Sequence, residues 1–227
     1  MTFGGFPESG LAFLKQLGKN NEREWFEAHR VVWDEEIVPA MLGWCGELSE
    51  RLLDVMPRLT FAPRIGGSLY RLNRDIRFSR DKSPYKTHTA AILWEGADKH
   101  DAPGFYLHVA PGEVIFGGGI WMFEDERLDR FRRLLHNDAS AGRLEKALAR
   151  ARKGGLVIEA PEKLQRPPRG FDPESARSEL AKYKGLTVGK RFKPAGWLFS
   201  RGALERSESA ARAYAPLHAW MRDELCG

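Results

Sequence analysis

The chain has 227 residues, of which 42% are hydrophobic, 11% aromatic and 30% charged, which supplies a sizeable core and excludes disorder as the dominant state. No apolar run approaches the ~18 residues of a membrane helix, no leader is expected from the opening residues, and Cys45 and Cys226 make neither a metal spacing nor a disulfide framework. Thirty-six Lys and Arg against thirty-one Asp and Glu give +5, concentrated locally rather than spread as the diffuse basic coat of non-specific nucleic-acid binding.

Pro7-Glu8 opens a first helix predicted over 8–18, with Leu11, Leu14 and Leu17 on one face. A second is predicted over 21–37, capped by Asn21, with Trp25, Phe26, His29 and Val32 or Trp33 as its buried stripe. Pro39 removes an amide donor, so a kink or restart is expected there, and a third helix follows over 39–56 through Met41, Trp44, Leu48 and Leu52. The period then changes from 3.6 to two. Strands are predicted over 68–72, 86–94, 104–110 and 113–121, forming an antiparallel meander. Gly117-Gly118-Gly119 matches no phosphate loop and reads as a bulge or a place of close approach. Helices return near 124, with Leu156-Val157-Ile158 as a short strand, 161–173 as loop and 174–184 as helix. Leu186-Thr187-Val188 with Phe192 reads as an edge strand, and 204–225 as a closing helix that Pro216 is expected to kink. The pattern is α+β: N-terminal helices over 1–57, a mainly antiparallel sheet over 60–122, and a mixed helical part over 123–227, all within one domain.

Charge is uneven along this order. Residues 1–56 hold ten acids and five bases, a net of −5; residues 71–88 hold six bases and two acids, a net of +4; residues 163–194 hold nine bases and three acids, a net of +6. Six cations within 71–88 repel one another unless anions sit among them. Arg71, Arg74, Arg77, Lys82 and Lys86 are candidate donors to a phosphate or carboxylate, with Tyr85 and His88 at the edge of the site and the Ser79 hydroxyl beside them. Asn73, Asp75 and Asp81 are candidates for a structural network that holds the loop, with each aspartate expected to contact an arginine or lysine. His88 and His108 sit on neighbouring predicted strands and could approach each other, but no ligand spacing accompanies them, so neither a metal nor a cofactor is expected. Leu164-Gln165-Arg166-Pro167-Pro168-Arg169-Gly170-Phe171 reads as a rigid loop lying on the domain.

The chain resembles the bacterial and fungal family catalogued as domain of unknown function 2461. The resemblance rests on Gly5-Phe6-Pro7, on Asn20-Asn21-x-Arg23-Glu24-Trp25-Phe26, and on the long run from Tyr70 through Asn73, Asp75, Asp81 and Pro84 to Thr87. Gly104-Phe105-Tyr106-Leu107-His108, Gly117-Gly118-Gly119, the 164–171 stretch and Leu180-x-x-Tyr183-Lys184 extend it over nearly the full chain. Gln165, Phe105 and Tyr183 stand where the family commonly has Lys, Tyr and His. The resemblance implies a single family domain and carries no catalytic residue with it.

The reading from the residues is a cytoplasmic protein that binds an anionic small molecule at 71–88. Nucleic acid is not favoured as a partner, no membrane association is expected, and the oligomeric state is left open. Two rivals stand beside it. One is an enzyme acting on a phosphorylated or carboxylated small molecule, with Asp75, Asp81, Tyr85 or His88 as acid or base. The other is a structural or partner-binding domain in which the motif is only a network.

Overall fold

The computed structural model describes residues 2–160 and 162–227. Helix α1 (Glu8–Leu17) buries Phe13, Leu14 and Leu17. Helix α2 (Arg23–Val32) passes through a π turn (Trp33–Ile37) straight into α3 (Val38–Arg51), so no restart occurs at Pro39. Proline lacks an amide proton and crowds the carbonyl four residues back. The wider π turn just ahead of it absorbs both defects. His29 is not part of the buried stripe: it is exposed and stacks on Trp25 at 4.1 Å, while Phe26 and Trp33 enter the core. Asn21 does not cap α2, which begins after Glu22. Its amide instead brackets the backbone of Tyr85, donating to the carbonyl at 2.9 Å and accepting from the amide at 3.0 Å.

Strands β1 (Thr89–Trp94), β2 (Gly104–Val109) and β3 (Val114–Ile120) form the expected meander. Helices α4 (Asp125–His136) and α5 (Asp138–Lys153) follow, then β4 (Val157–Glu159), α6 (Ala176–Ala181), β5 (Leu186–Phe192) and α7 (Gly202–Trp220). Pro161, within the expected 161–173 loop, lies outside the described residues. The sheet order is β1-β2-β3-β5-β4 and every pairing is antiparallel. The fold is α+β. Strand β5 is interior rather than an edge, because the three-residue β4 pairs on its outer side; an edge that short offers little template for unwanted pairing.

Residues 68–72 do not form a full strand. They meet β1 over Ser68, Leu69 and Tyr70: the Ile92 amide donates to the Ser68 carbonyl at 2.9 Å and the Tyr70 amide to the Ala90 carbonyl at 2.9 Å. Beyond Tyr70 the chain pairs with 84–86 instead: the Lys86 amide donates to the Leu72 carbonyl at 2.8 Å and the Arg74 amide to the Pro84 carbonyl at 2.9 Å. The basic motif is therefore a hairpin-like loop with its own stem.

One face of the sheet is core. Leu93, Phe105, Leu107, Phe116, Leu186 and Val188 are buried on it, with α3 against β1 and α7 against β2 and β3. Strand side chains alternate between faces, so Ile92, Tyr106, His108, Ile115, Thr187 and Arg191 all point the other way. Among the described residues no helix lines the concavity on that second face. Among the described residues no helix is long and apolar enough to cross a membrane.

Candidate functional site

Pairing places four glycines on this second face in adjacent rows. Gly104 lies opposite Gly119, and Gly117 lies opposite Gly189. Side chains that would otherwise fill the face are missing, and a concavity of about 480 Å³ opens over the bare backbone. That volume is within the ~300–1,000 Å³ common for small-molecule sites. At Gly119 the backbone itself demands glycine: φ is 140°, and a Cβ there would sit 2.1 Å from the Leu186 carbonyl oxygen. At Gly189 it does not; a Cβ would meet only the end of the Glu159 side chain, at 3.4 Å. The rim is mixed. Ile92, Ile115, Trp121 and Met122 supply apolar surface, while Tyr70, Lys99, Tyr106 and His108 line the side nearest β1.

A second cavity, of about 170 Å³, adjoins the first along Tyr70 and Tyr106 and is lined further by Arg71, Lys86, His88 and Ala90. The two tyrosine rings meet edge to face with centroids 6.3 Å apart. Lys99 Nζ sits 4.9 Å and Lys86 Nζ 5.7 Å from the centroid of Tyr70, within cation–π range. Among the described residues Arg71, Lys86 and Lys99 form no ion pair. Lys86 donates to the Arg71 carbonyl at 2.9 Å, and Lys99 to the carbonyls of Gly66 and Gly67 at 2.6 and 2.7 Å. Burial, and the neighbouring Arg71, lower the Lys86 pKa; burial, then Arg64, lowers that of Lys99. At the far end the charges are matched, since Arg191 pairs with Glu113 at 2.8 Å and Glu159 at 3.1 Å.

The seven residues singled out in the 71–88 motif are thus divided. Arg71, Lys86 and His88 converge on the small cavity. Arg74 and Arg77 are turned to the loop's own acids: Arg74 pairs with Asp81, and Arg77 holds Asp75 through two bonds of 3.0 and 2.7 Å. Hydrogen bonds from Ser83 and Arg74 keep the Asp81 carboxyl at a pKa of about 2. Lys82 donates to the Ile76 carbonyl at 3.0 Å. Tyr85 is buried, its ring stacked on Phe26 at 4.4 Å, and Asn73 bridges to it across the loop stem. The loop tip presents Phe78 to solvent at 95% exposure.

Tyr70, Lys99, Tyr106, His108 and the four glycines were outside the sequence-derived site. Their signal lay in the strands: glycine recurs at alternate positions in β3 and again in β2 and β5, where propensity disfavours it. His108 stacks on His88 at 4.4 Å, and its Nδ1 lies 3.2 Å from the Tyr106 hydroxyl. Burial raises the Tyr106 pKa, so the phenol stays protonated, and the tautomer of His108 sets which of the two groups donates. Among the described residues no group of three His, Cys, Asp or Glu could hold a metal ion.

The family of conserved hypothetical proteins DUF2461 matches residues 9–220. The chain belongs to this family. No curated protein and no solved structure matches it. Every residue of the two cavities falls within the DUF2461 match.

The histidines of this DUF2461 domain give the site a pH signature. Burial, then His108 and Lys86, lower the His88 pKa to about 4, and burial lowers that of His108. An unfolded histidine takes up a proton near ~6.5. Between those values the unfolded chain binds more protons than the folded one, so stability falls as pH drops from about 6.5 toward 4. Thermal melts across that range are expected to show the fall, and His88→Gln is expected to flatten part of it. An unchanged slope in that variant would show that His88 is not held neutral by its surroundings.

Proposed function

We propose that this domain binds a small organic anion, with its apolar body over the glycine floor and its charged group at Arg71, Lys86 and Lys99. One observation carries this reading: cations that form no ion pair among the described residues gather around Tyr70 where a bare, concave sheet face begins. Surplus charge of this kind is met by solvent or by a ligand anion. Its rigid setting, with Lys86 and Lys99 tied to backbone carbonyls, suits recognition. The rest of the basic loop supports the site rather than forming it, because Arg74 and Arg77 already hold anions of their own.

A second reading, an enzyme acting on a phosphorylated or carboxylated small molecule, is favoured by the Tyr106–His108 hydrogen bond and the His88 stack at the junction of the cavities. Neutral imidazole beside a phenol is suited to proton transfer. Turnover of a bound anion that His108→Gln abolishes, with binding retained, would establish it.

The binding reading is tested by filling the floor. Aromatic phosphates, carboxylates and sulfonates are titrated at low salt against the parent and Gly189→Leu, following thermal unfolding. Ligand at one hundred times Kd contributes about 2.7 kcal/mol, or roughly 5–10 °C for a chain of this size. The parent is expected to show such a rise, weakening with added salt, and the variant to show none while melting normally in buffer. No rise with any anion, or an equal rise in Gly189→Leu, would contradict the reading.

A further inference from the structure

We infer that the anion is a phosphate monoester of a small aromatic alcohol, with the phosphate in the small cavity and the ring system over the glycine floor. This rests on the anion-binding reading and narrows it. Charge favours the monoester. Among the described residues the small cavity is lined by one guanidinium and one ammonium and by no carboxylate. Its histidine is uncharged at neutral pH, for the reasons of burial and neighbouring charge given above. Two positive charges, with Lys99 as a third on the Tyr70 ring, match the charge of about −1.5 to −2 on a monoester at pH 7. A carboxylate, with its single charge, would leave at least one of these cations without a counter-charge.

The number and direction of donors also favour the monoester. Arg71, Lys86, His88, Tyr70 and Tyr106 all border the cavity, reaching it from the base of the loop, the residue ahead of β1, and β2. A carboxylate offers two oxygens in one plane. A phosphate monoester offers three terminal oxygens arranged tetrahedrally, so it can accept from several directions at once. Arginine forks suit either group, but a mixed shell of fork, ammonium and hydroxyls suits the tetrahedral one.

The junction of the two cavities fits an ester link. Tyr70 and Tyr106 line both, so a ligand using both must pass beside two aromatic rings. A single ester oxygen is narrow enough to link the parts there. On the other side the floor is backbone without side chains, flanked by Ile92, Ile115 and Trp121. A flat ring can lie close against such a floor. A polyanion is disfavoured, because the path beyond the first phosphate runs toward Glu159 and a fully paired Arg191.

Calorimetric titration of the full chain at low salt and pH 7.5 tests this with four probes: 1-naphthyl phosphate, 1-naphthoate, inorganic phosphate and an octathymidylate. The expected order is 1-naphthyl phosphate first, by at least about 10-fold over each of the others. Arg71→Ala and Lys86→Gln are each expected to weaken the naphthyl phosphate at least about 10-fold and the naphthoate less. Gly189→Leu is expected to weaken both naphthyl ligands and leave inorganic phosphate unchanged. Melting curves of all three variants confirm that they fold, and the two cation variants back each other up. Naphthoate equal to or tighter than the ester would overturn the inference while leaving the anion-binding reading in place. Inorganic phosphate or the oligonucleotide matching the ester would also overturn it. Failure of all four probes, or binding indifferent to all three variants, would remove the inference and the reading together.

Discussion

The double variant Arg71→Ala/Lys86→Ala is expected to bind anions at least about 100-fold more weakly than the parent while folding normally. A hydrogen bond to a charged group contributes about 1.5–3 kcal/mol, so losing two costs about 3–6 kcal/mol, and 1.4 kcal/mol is a factor of ten in Kd. Stability is expected to change little, because Arg71 is exposed and the bond from Lys86 Nζ to the Arg71 carbonyl is the only hydrogen bond its ammonium makes among the described residues. The control is Arg77→Ala. Its partner Asp75 is exposed, and such pairs contribute about 0–1 kcal/mol, so binding and melting should both stay near the parent. Titration calorimetry decides it: a double variant that binds as the parent does would move the site away from the small cavity.

Trp44→Ala is expected to lower the unfolding free energy by about 3–5 kcal/mol, as deletion of a large buried aromatic does. Trp44 is fully buried in α3 and connects three parts of the fold. It stacks on Phe3 at 5.0 Å, meets Phe116 of β3 edge-on at 5.6 Å, and donates from Nε1 to Ser207 of α7 at 2.9 Å. The Ser207 hydroxyl still donates to the Leu204 carbonyl at 2.9 Å, so the loss is one of packing and one bond rather than a stranded donor. Denaturant titration is the measurement. A change below about 1 kcal/mol would mean that α3 does not clamp the sheet as described.

What was legible in the sequence was local. The periodicities of α1, α2, α3 and α7 and of the meander come from neighbouring residues, and the structure has those elements close to the expected bounds. The glycine run 117–119 was read as a bulge or a place of close approach; its register with β2 and β5 is unbroken, so it is not a bulge, and at Gly118 a Cβ would lie 2.4 Å from the Tyr214 ring. What depended on pairing was not legible. Strand β5 read as an edge because the short strand read at 156–158 carries no local sign that it pairs with β5. The charge of the 71–88 motif was countable, but its direction was not. Asp75 and Asp81 are close enough in sequence to claim Arg77 and Arg74, which leaves Arg71 and Lys86 at the stem to face the sheet. Lys99, Tyr106 and Gly189 join them only through a register set by β1, β2, β3 and β5 together.

A crystal structure of the protein with 1-naphthyl phosphate tests the central claim most directly. The phosphate is expected within hydrogen-bonding distance of Arg71 and Lys86, beside Tyr70 and Tyr106, with the naphthyl ring over Gly117 and Gly189. A phosphate held at the loop tip by Arg77, Arg80 and Lys82, or a ligand absent from the open face of the sheet, would contradict it.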